Sequence, residues 1–117
     1  MPNTYTKGDV INVDLGSPPA EIKGHEQAYI RPCIVITAFE QLGLVIVIPL
    51  TSSKPKFNLY TVVKILQNEG GLRSDSYALC HQIRTISFDR ILDIKGKIDH
   101  KSMLKIHAVL LDTLQLL

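Results

Sequence analysis

Residues Asp9 to Leu15 alternate between polar and apolar, with Ile11, Val13 and Leu15 on one face and Asn12 and Asp14 on the other. That two-residue period marks a half-buried strand. The pattern breaks at Gly16-Ser17-Pro18-Pro19 and stays polar and unperiodic to Gln27, which predicts an irregular excursion. Two apolar runs rich in β-branched residues follow, CIVITAF over 33–39 and LVIVIPL over 44–50, separated by Glu40-Gln41-Leu42-Gly43. They predict a central hairpin. Pro49 has no amide proton to donate, so pairing should weaken there and Leu50-Thr51-Ser52-Ser53 should turn away.

Past a basic loop at Lys54-Pro55-Lys56, the pattern predicts a strand over 57–65, a turn at Asn68-Glu69-Gly70-Gly71 and a strand over 76–86 with Cys80, Gln82 and Arg84 on one face. Ser87 is placed to cap a short helical turn, and a small strand is expected over 91–94, ended by Gly96. The last segment changes period. Met103, Ile106, His107, Leu110, Leu111, Leu114 and Leu117 form a helical stripe, with Asp99 or Ser102 as its cap. Leu104, Val109 and Leu116 lie off that stripe and suit either extra core burial or a subunit interface. Short strands with one terminal helix predict a single mainly β domain over 1–117, a small, partly open barrel with a C-terminal α-helix.

Composition narrows the chemistry. A 117-residue chain with 45% hydrophobic content can build one real core. Its net charge of +2 is too small to bind a polyanion globally, so any such contact must come from a local patch. Cys33 and Cys80 sit in apolar runs without CxxC spacing and read as buried thiols. His25, His81, His100 and His107 lack metal-ligand spacing, so neither a metal nor another cofactor is expected. His107 reads as a core or interface residue. No secretion signal or membrane-length apolar run is seen, and the expectation is a soluble, cytoplasmic protein.

Arg31 precedes Pro32, which biases the arginine backbone toward an extended form. If 33–39 and 44–50 pair, Arg31 and Thr51 meet at the hairpin's open end. A permanently charged guanidinium fork beside a hydroxyl can clamp a phosphodiester and stabilise charge developing on it. The competing reading is a surface salt bridge from Arg31 to Glu26, with Thr51 capping a turn. Lys54 and Lys56, near Ser52 and Ser53, either steer an RNA backbone or solvate a loop. His25 and Glu26, in the long loop, are candidates for proton transfer.

Four stretches in order resemble the MazF/PemK family of toxin endoribonucleases: Lys7-Gly8-Asp9-Val10-Ile11-Asn12-Val13-Asp14, Glu26-Gln27 ahead of Arg31-Pro32, Pro49-Leu50-Thr51-Ser52, and Asp75-Ser76 running into Gln82-Ile83-Arg84-Thr85-Ile86. The resemblance implies an SH3-like, CcdB/MazF-type barrel, a homodimer and metal-independent, sequence-selective cleavage of single-stranded RNA by its own 2′-OH. It further implies Arg31 and Thr51 as catalytic residues, and Glu26, Gln27, Ser52, Ser53, Lys54, Gln82 and Arg84 as substrate-binding ones. It implies a cognate antitoxin partner too, with operator DNA bound only by the toxin–antitoxin complex. Tyr29 and Ile30 depart from the small or polar residues usual before the arginine, which bears on the target motif. Two other readings stand beside it. One is a CcdB-like toxin that binds DNA gyrase without nuclease chemistry, disfavoured because the chain has no Trp and ends Leu-Gln-Leu-Leu. The other is an inactive, antitoxin-binding homologue.

Overall fold

The computed structural model describes residues 4–56 and 59–116. Seven strands form one antiparallel sheet: β1 (Asp9–Asp14), β2 (Ile30–Phe39), β3 (Leu44–Thr51), β4 (Val62–Ile65), β5 (Ser76–Leu79), β6 (Arg84–Ser87) and β7 (Ile91–Lys97). A single helix, α1 (His100–Thr113), closes the chain. The strand order is β4-β5-β3-β2-β1-β7, with β6 also paired to β3. This is the mainly β, helix-terminated barrel expected from the alternation.

Both faces of the central strands are covered, because their continuous β-branched runs offer apolar side chains to both sides. On one face Val10, Ile34, Ile48, Leu50, Val63 and Ala78 pack beneath Met103, Ile106 and Leu110 of the helix. On the other, Ile11, Val13, Cys33, Val35, Val45 and Val47 gather with Tyr5 and Ile86. Each fully buried Ile or Leu contributes roughly 1.5–3 kcal/mol, so these two clusters dominate the stability. Both cysteines are buried free thiols, as expected. Burial pushes Cys33 up to about 12 and Cys80 to about 11, which leaves them unreactive.

The hairpin β2–β3 forms, turning through a 3-10 segment at Glu40–Leu42 and a left-handed Gly43 at φ 64°. Pro49 does not end β3. The strand stays in register, Cys33 opposite Pro49, then exchanges its partner: Leu50 pairs with Ala78 and Thr51 with Tyr77 on β5. Only Ser52 and Ser53 turn away. The strand expected over 57–65 shrinks to Val62–Ile65; of its earlier part, 57–58 lie outside the described residues and Tyr60–Thr61 form a turn.

The expected strand over 76–86 is two strands, broken by a 3-10 turn at Cys80–Gln82. The break has a physical reason: β5 must pair with the end of β3 and β6 with its beginning, and one straight strand cannot do both. Cys80, Gln82 and Arg84 therefore share no strand face. Ser87 caps as expected, its hydroxyl accepting from the Asp89 amide at 3.2 Å.

Gly96 does not terminate β7, which continues to Lys97. It lets the strand pass over the 69–71 turn, since a Cβ there would lie 2.6 Å from the Gly70 carbonyl carbon. Helix α1 is capped by Asp99, whose Oδ1 accepts the Ser102 amide at 2.9 Å; Ser102 instead bonds Glu69. Leu111 and Leu114 of the expected stripe are exposed and Leu117 lies outside the described residues, while Val109, off the stripe, packs against the core. The docked face is narrower and rotated because only the first three turns meet the sheet. Leu104 and Leu116 are exposed.

Replacing Gly96 with Ala forces two backbone segments apart. The variant should lose about 1–3 kcal/mol of unfolding free energy, read as a lower urea midpoint at unchanged m-value.

Candidate active site

The hairpin register decides where the chemistry gathers. The β2–β3 ladder ends at Cys33 opposite Pro49, and two residues past that pair on either strand stand Arg31, paired with Val13 of β1, and Thr51, paired with Tyr77 of β5; by alternation both fall on the face that carries Cys33, Val35 and Val47. That face is apolar inside the barrel and becomes polar where the hairpin opens. Arg84 reaches the same face from β6, opposite Val47, and its Nη1 donates to the Leu15 carbonyl at 3.5 Å. Its positive charge acts on the neighbouring Cys33 thiol, opposing the upward push of burial.

Arg31 is half-buried, and its Nε donates to the Ala28 carbonyl at 3.2 Å. Held by that one nitrogen, the guanidinium keeps its two terminal amino groups for an oxyanion. The alternative salt bridge to Glu26 is not formed, and among the described residues Arg31 has no ion pair. Glu26 instead accepts the Lys23 amide at 2.8 Å, closing a turn. Thr51 does cap a turn, its Oγ1 accepting the Ser53 amide at 3.2 Å. The two roles are compatible: the accepted bond fixes the oxygen and leaves the hydroxyl proton to donate.

The long loop 16–27 is pinned rather than loose. Ile22 is buried, the Leu15 amide donates to the Tyr29 carbonyl and the Tyr29 amide to the Gly16 carbonyl, and Arg90 holds the Asp14 carbonyl and Glu21 at 3.2 and 3.7 Å. Gln82 ties its far end: Nε2 donates to the His25 carbonyl at 2.7 Å, and Oε1 accepts the Gln27 amide at 3.3 Å. These bonds define one wall of an open cleft of about 540 Å³ lined by His25, Glu26, Gln27, Pro49, His81, Gln82, Ile83 and Arg84. Gln27 brings to it a buried Oε1 without a hydrogen-bond partner.

Of the residues predicted from sequence, Glu26, Gln27, Gln82, Arg84 and His25 line the cleft, while Arg31 and Thr51 do not line it and lie just past the Cys33–Pro49 pair at the open end of the hairpin. Ser52 and Ser53 lie on the turn after Thr51, while Lys54 lines a second cleft on the other side. His81 was missed as a cleft residue. Its Nδ1 lies 2.7 Å from the buried Thr61 hydroxyl, and burial lowers its pKa from the ordinary imidazole value. Only the 3-10 turn, invisible in the alternation, turns it toward the cleft. Among the described residues no group of three or more His, Cys, Asp or Glu side chains could hold a metal ion.

The fold is thus a small β-barrel that carries Arg31 and Thr51 at the open end of its central hairpin and Arg84 beside it, groups whose chemistry suits an oxyanion or phosphodiester. The family described as PemK-like, MazF-like toxin of type II toxin–antitoxin system matches residues 6–114, and the chain belongs to that family. It is 34% identical over 116 residues to endoribonuclease EndoA of Bacillus subtilis, covering 95% of each chain. It is 33% identical over 104 residues to endoribonuclease MazF of Staphylococcus saprophyticus, covering 86% of this chain and 83% of that one. In fold it resembles a crystal structure of MazF from Deinococcus radiodurans, with TM-score 0.76, 19% identity and coverage of 97% and 98%. A mycobacterial endoribonuclease solved with its cognate antitoxin matches with TM-score 0.74, 20% identity and the same coverage.

Tyr29 adopts φ 65°, a left-handed conformation in which a Cβ is strained by about 1–2 kcal/mol. Its side chain is 57% exposed, so little packing is at stake. Tyr29→Gly should raise stability by about 1 kcal/mol, measured by chemical denaturation. For His81, folding disfavours protonation. The neutral form thus adds stability that is complete above the ordinary imidazole pKa of about 6.5 and is lost as pH falls through the lower folded value. The wild-type melting temperature should fall further than that of His81→Gln between about pH 8 and about pH 5.

Proposed function

We propose that this chain is the toxin of a type II toxin–antitoxin pair that cuts single-stranded RNA internally, at selected sequences and without a metal ion, with the scissile phosphate held between Arg31 and Thr51. Endoribonuclease activity follows from family membership together with two curated endoribonucleases that align over most of the chain. The observation that supports the site assignment is that Arg31 and Thr51 both lie just past the last β2–β3 pair, Cys33 opposite Pro49, with the terminal guanidinium nitrogens free of ion pairs among the described residues.

The chemistry needs no cofactor. The 2′-oxygen bonds to phosphorus, the bond from phosphorus to the 5′-oxygen breaks, and a 2′,3′-cyclic phosphate and a 5′-OH remain. Arg31 and the Thr51 hydroxyl donate to the non-bridging oxygens, whose charge grows in the five-coordinate transition state. Arg84 adds positive potential to the cleft. Glu26 or His25, both in its wall, takes the 2′ proton, and a proton reaches the departing 5′-oxygen. Gln82 holds the substrate-gripping loop in place through its two bonds, and Gln27, Ser52, Ser53 and Lys54 contact the chain on either side.

The partners follow the same reading: RNA in the cleft, an antitoxin that covers it, and operator DNA met only by the joint complex. The proposed unit is a cytoplasmic homodimer, supported by exposed Phe39 and Leu42 on the hairpin and Leu104, Leu111 and Leu114 on the helix. No helix among the described residues is long and apolar enough to cross a membrane.

Purified protein incubated with mixed-sequence RNA in EDTA should yield fragments ending in cyclic phosphate. Arg31→Ala and Thr51→Ala should each slow single-turnover cleavage about 10²- to 10³-fold with an unchanged circular-dichroism spectrum. Equal cleavage by the Arg31 variant would sink the assignment.

A further inference from the structure

A second cleft, about 500 Å³ in volume, lies beyond Thr51 and is lined by Lys54, Pro55, Lys56, Leu59, Val62, Lys64 and Tyr77. Nothing in the reaction just described uses it as a whole. Its place in the sheet is set by pairing: Thr51 is opposite Tyr77 on β5, and Tyr77 is opposite Lys64 on β4. Direct partners across antiparallel strands project from the same face, with Cβ atoms about 5 Å apart. Thr51, Tyr77 and Lys64 thus form one row on one face, in that order, with Arg31 on the far side of Thr51, two residues past the last β2–β3 pair. The neighbouring row, Leu50, Ala78 and Val63, faces the core, so this one faces outward.

The lining combines three ammonium groups with a half-buried aromatic ring and three apolar side chains. That pairing of a cationic groove with a stacking surface is what single-stranded nucleic acid uses: backbone phosphates meet the cations and a base lies on the ring. An acidic polypeptide would use the cations but not the ring. Lys64 forms an ion pair with Asp75 at 3.7 Å, both side chains about half exposed, so the pair is weak and a phosphate can compete for the lysine. The volume falls within the range of pockets that take one nucleotide-sized ligand.

We propose that this cleft seats the nucleotide adjoining the scissile phosphate, with its base stacked on Tyr77 and its phosphate among Lys54, Lys56 and Lys64. The inference rests on the scissile phosphate lying at Arg31 and Thr51, one strand away. Tyr77 and Lys64 then act in positioning and specificity. A base must fill the cleft on one side of the cut only, because the Arg31 end of the row leads into the other cleft.

The test uses an RNA oligonucleotide built around a mapped cleavage site, made uncleavable by a 2′-deoxy sugar at the cut and carrying 2-aminopurine at each flanking position in turn. Stacking on Tyr77 should quench one flanking position only. Tyr77→Ala should abolish that quenching and weaken binding about tenfold or more, while Tyr77→Phe retains both. Lys54→Gln, Lys56→Gln and Lys64→Gln should each reduce the slope of log affinity against log salt by about 0.7. Trimming the oligonucleotide from the quenched side should erase the difference between wild type and Tyr77→Ala. Wild-type affinity and unchanged quenching in Tyr77→Ala, beside an inactive Arg31→Ala, would overturn this proposal alone. Normal cleavage by Arg31→Ala would remove the placement beneath it as well. Loss of polyglutamate binding in Lys54→Gln, Lys56→Gln and Lys64→Gln, with RNA affinity and its salt slope unchanged, would assign the cleft to an acidic polypeptide and also overturn it.

Discussion

The pairing of β2 with β3 governs this protein. The ladder ends with Cys33 opposite Pro49, and Arg31 and Thr51 follow just past that pair on the two strands. A slip of one residue would send Arg31 to the wrong face and drive Ile34 and Ile48 out of the core. The register is held by burial rather than by the polar residues that use it. Ile34, Val35, Val47 and Ile48 are fully buried, so a slip costs the transfer energy of several large side chains at once.

Strand β3 then does something a simple hairpin does not. Its first half pairs with β6 and its last two residues with β5, so one strand joins two neighbouring stretches of sheet. The 3-10 turn at Cys80–Gln82 is the consequence, and it places His81 and Gln82 at the mouth of the cleft. Gln82 spends both ends of its amide on the 25–27 loop. A gripping loop is thereby preorganised by the same turn that lets β3 change partners, which lowers the ordering entropy that substrate binding must overcome.

The electrostatic layout matches a modest net charge. With 13 basic against 11 acidic residues, the chain has no large positive field, yet Arg31, Arg84, Lys54, Lys56 and Lys64 gather around one end of one sheet. Local concentration suffices for a phosphate backbone, because screening confines the useful field to about a Debye length. The nearby acidic residues each have a partner: Glu26 accepts the Lys23 amide, Glu21 holds Arg90, and Asp75 accepts the Gln67 amide and forms a weak, exposed ion pair with Lys64.

Alternation and helical period were enough to locate the hairpin, the first strand and the terminal helix, since each buries a stripe whose spacing is visible residue by residue. The four ordered stretches around Arg31, Thr51 and Arg84 likewise exposed the family. What stayed hidden depends on partners far away in sequence. The split of 76–86 arises because β3 has two neighbours, the passage of β7 through Gly96 because the Gly70 backbone lies against it, and the cleft position of His81 because Thr61 anchors it. Tyr77 looks from sequence like any strand tyrosine, and only the fold places it opposite Thr51. The chain's own order of residues determined which faces are apolar and which side chains can do chemistry; the tertiary structure decided which of them meet, because cross-strand register is a property of two segments and neither carries it alone.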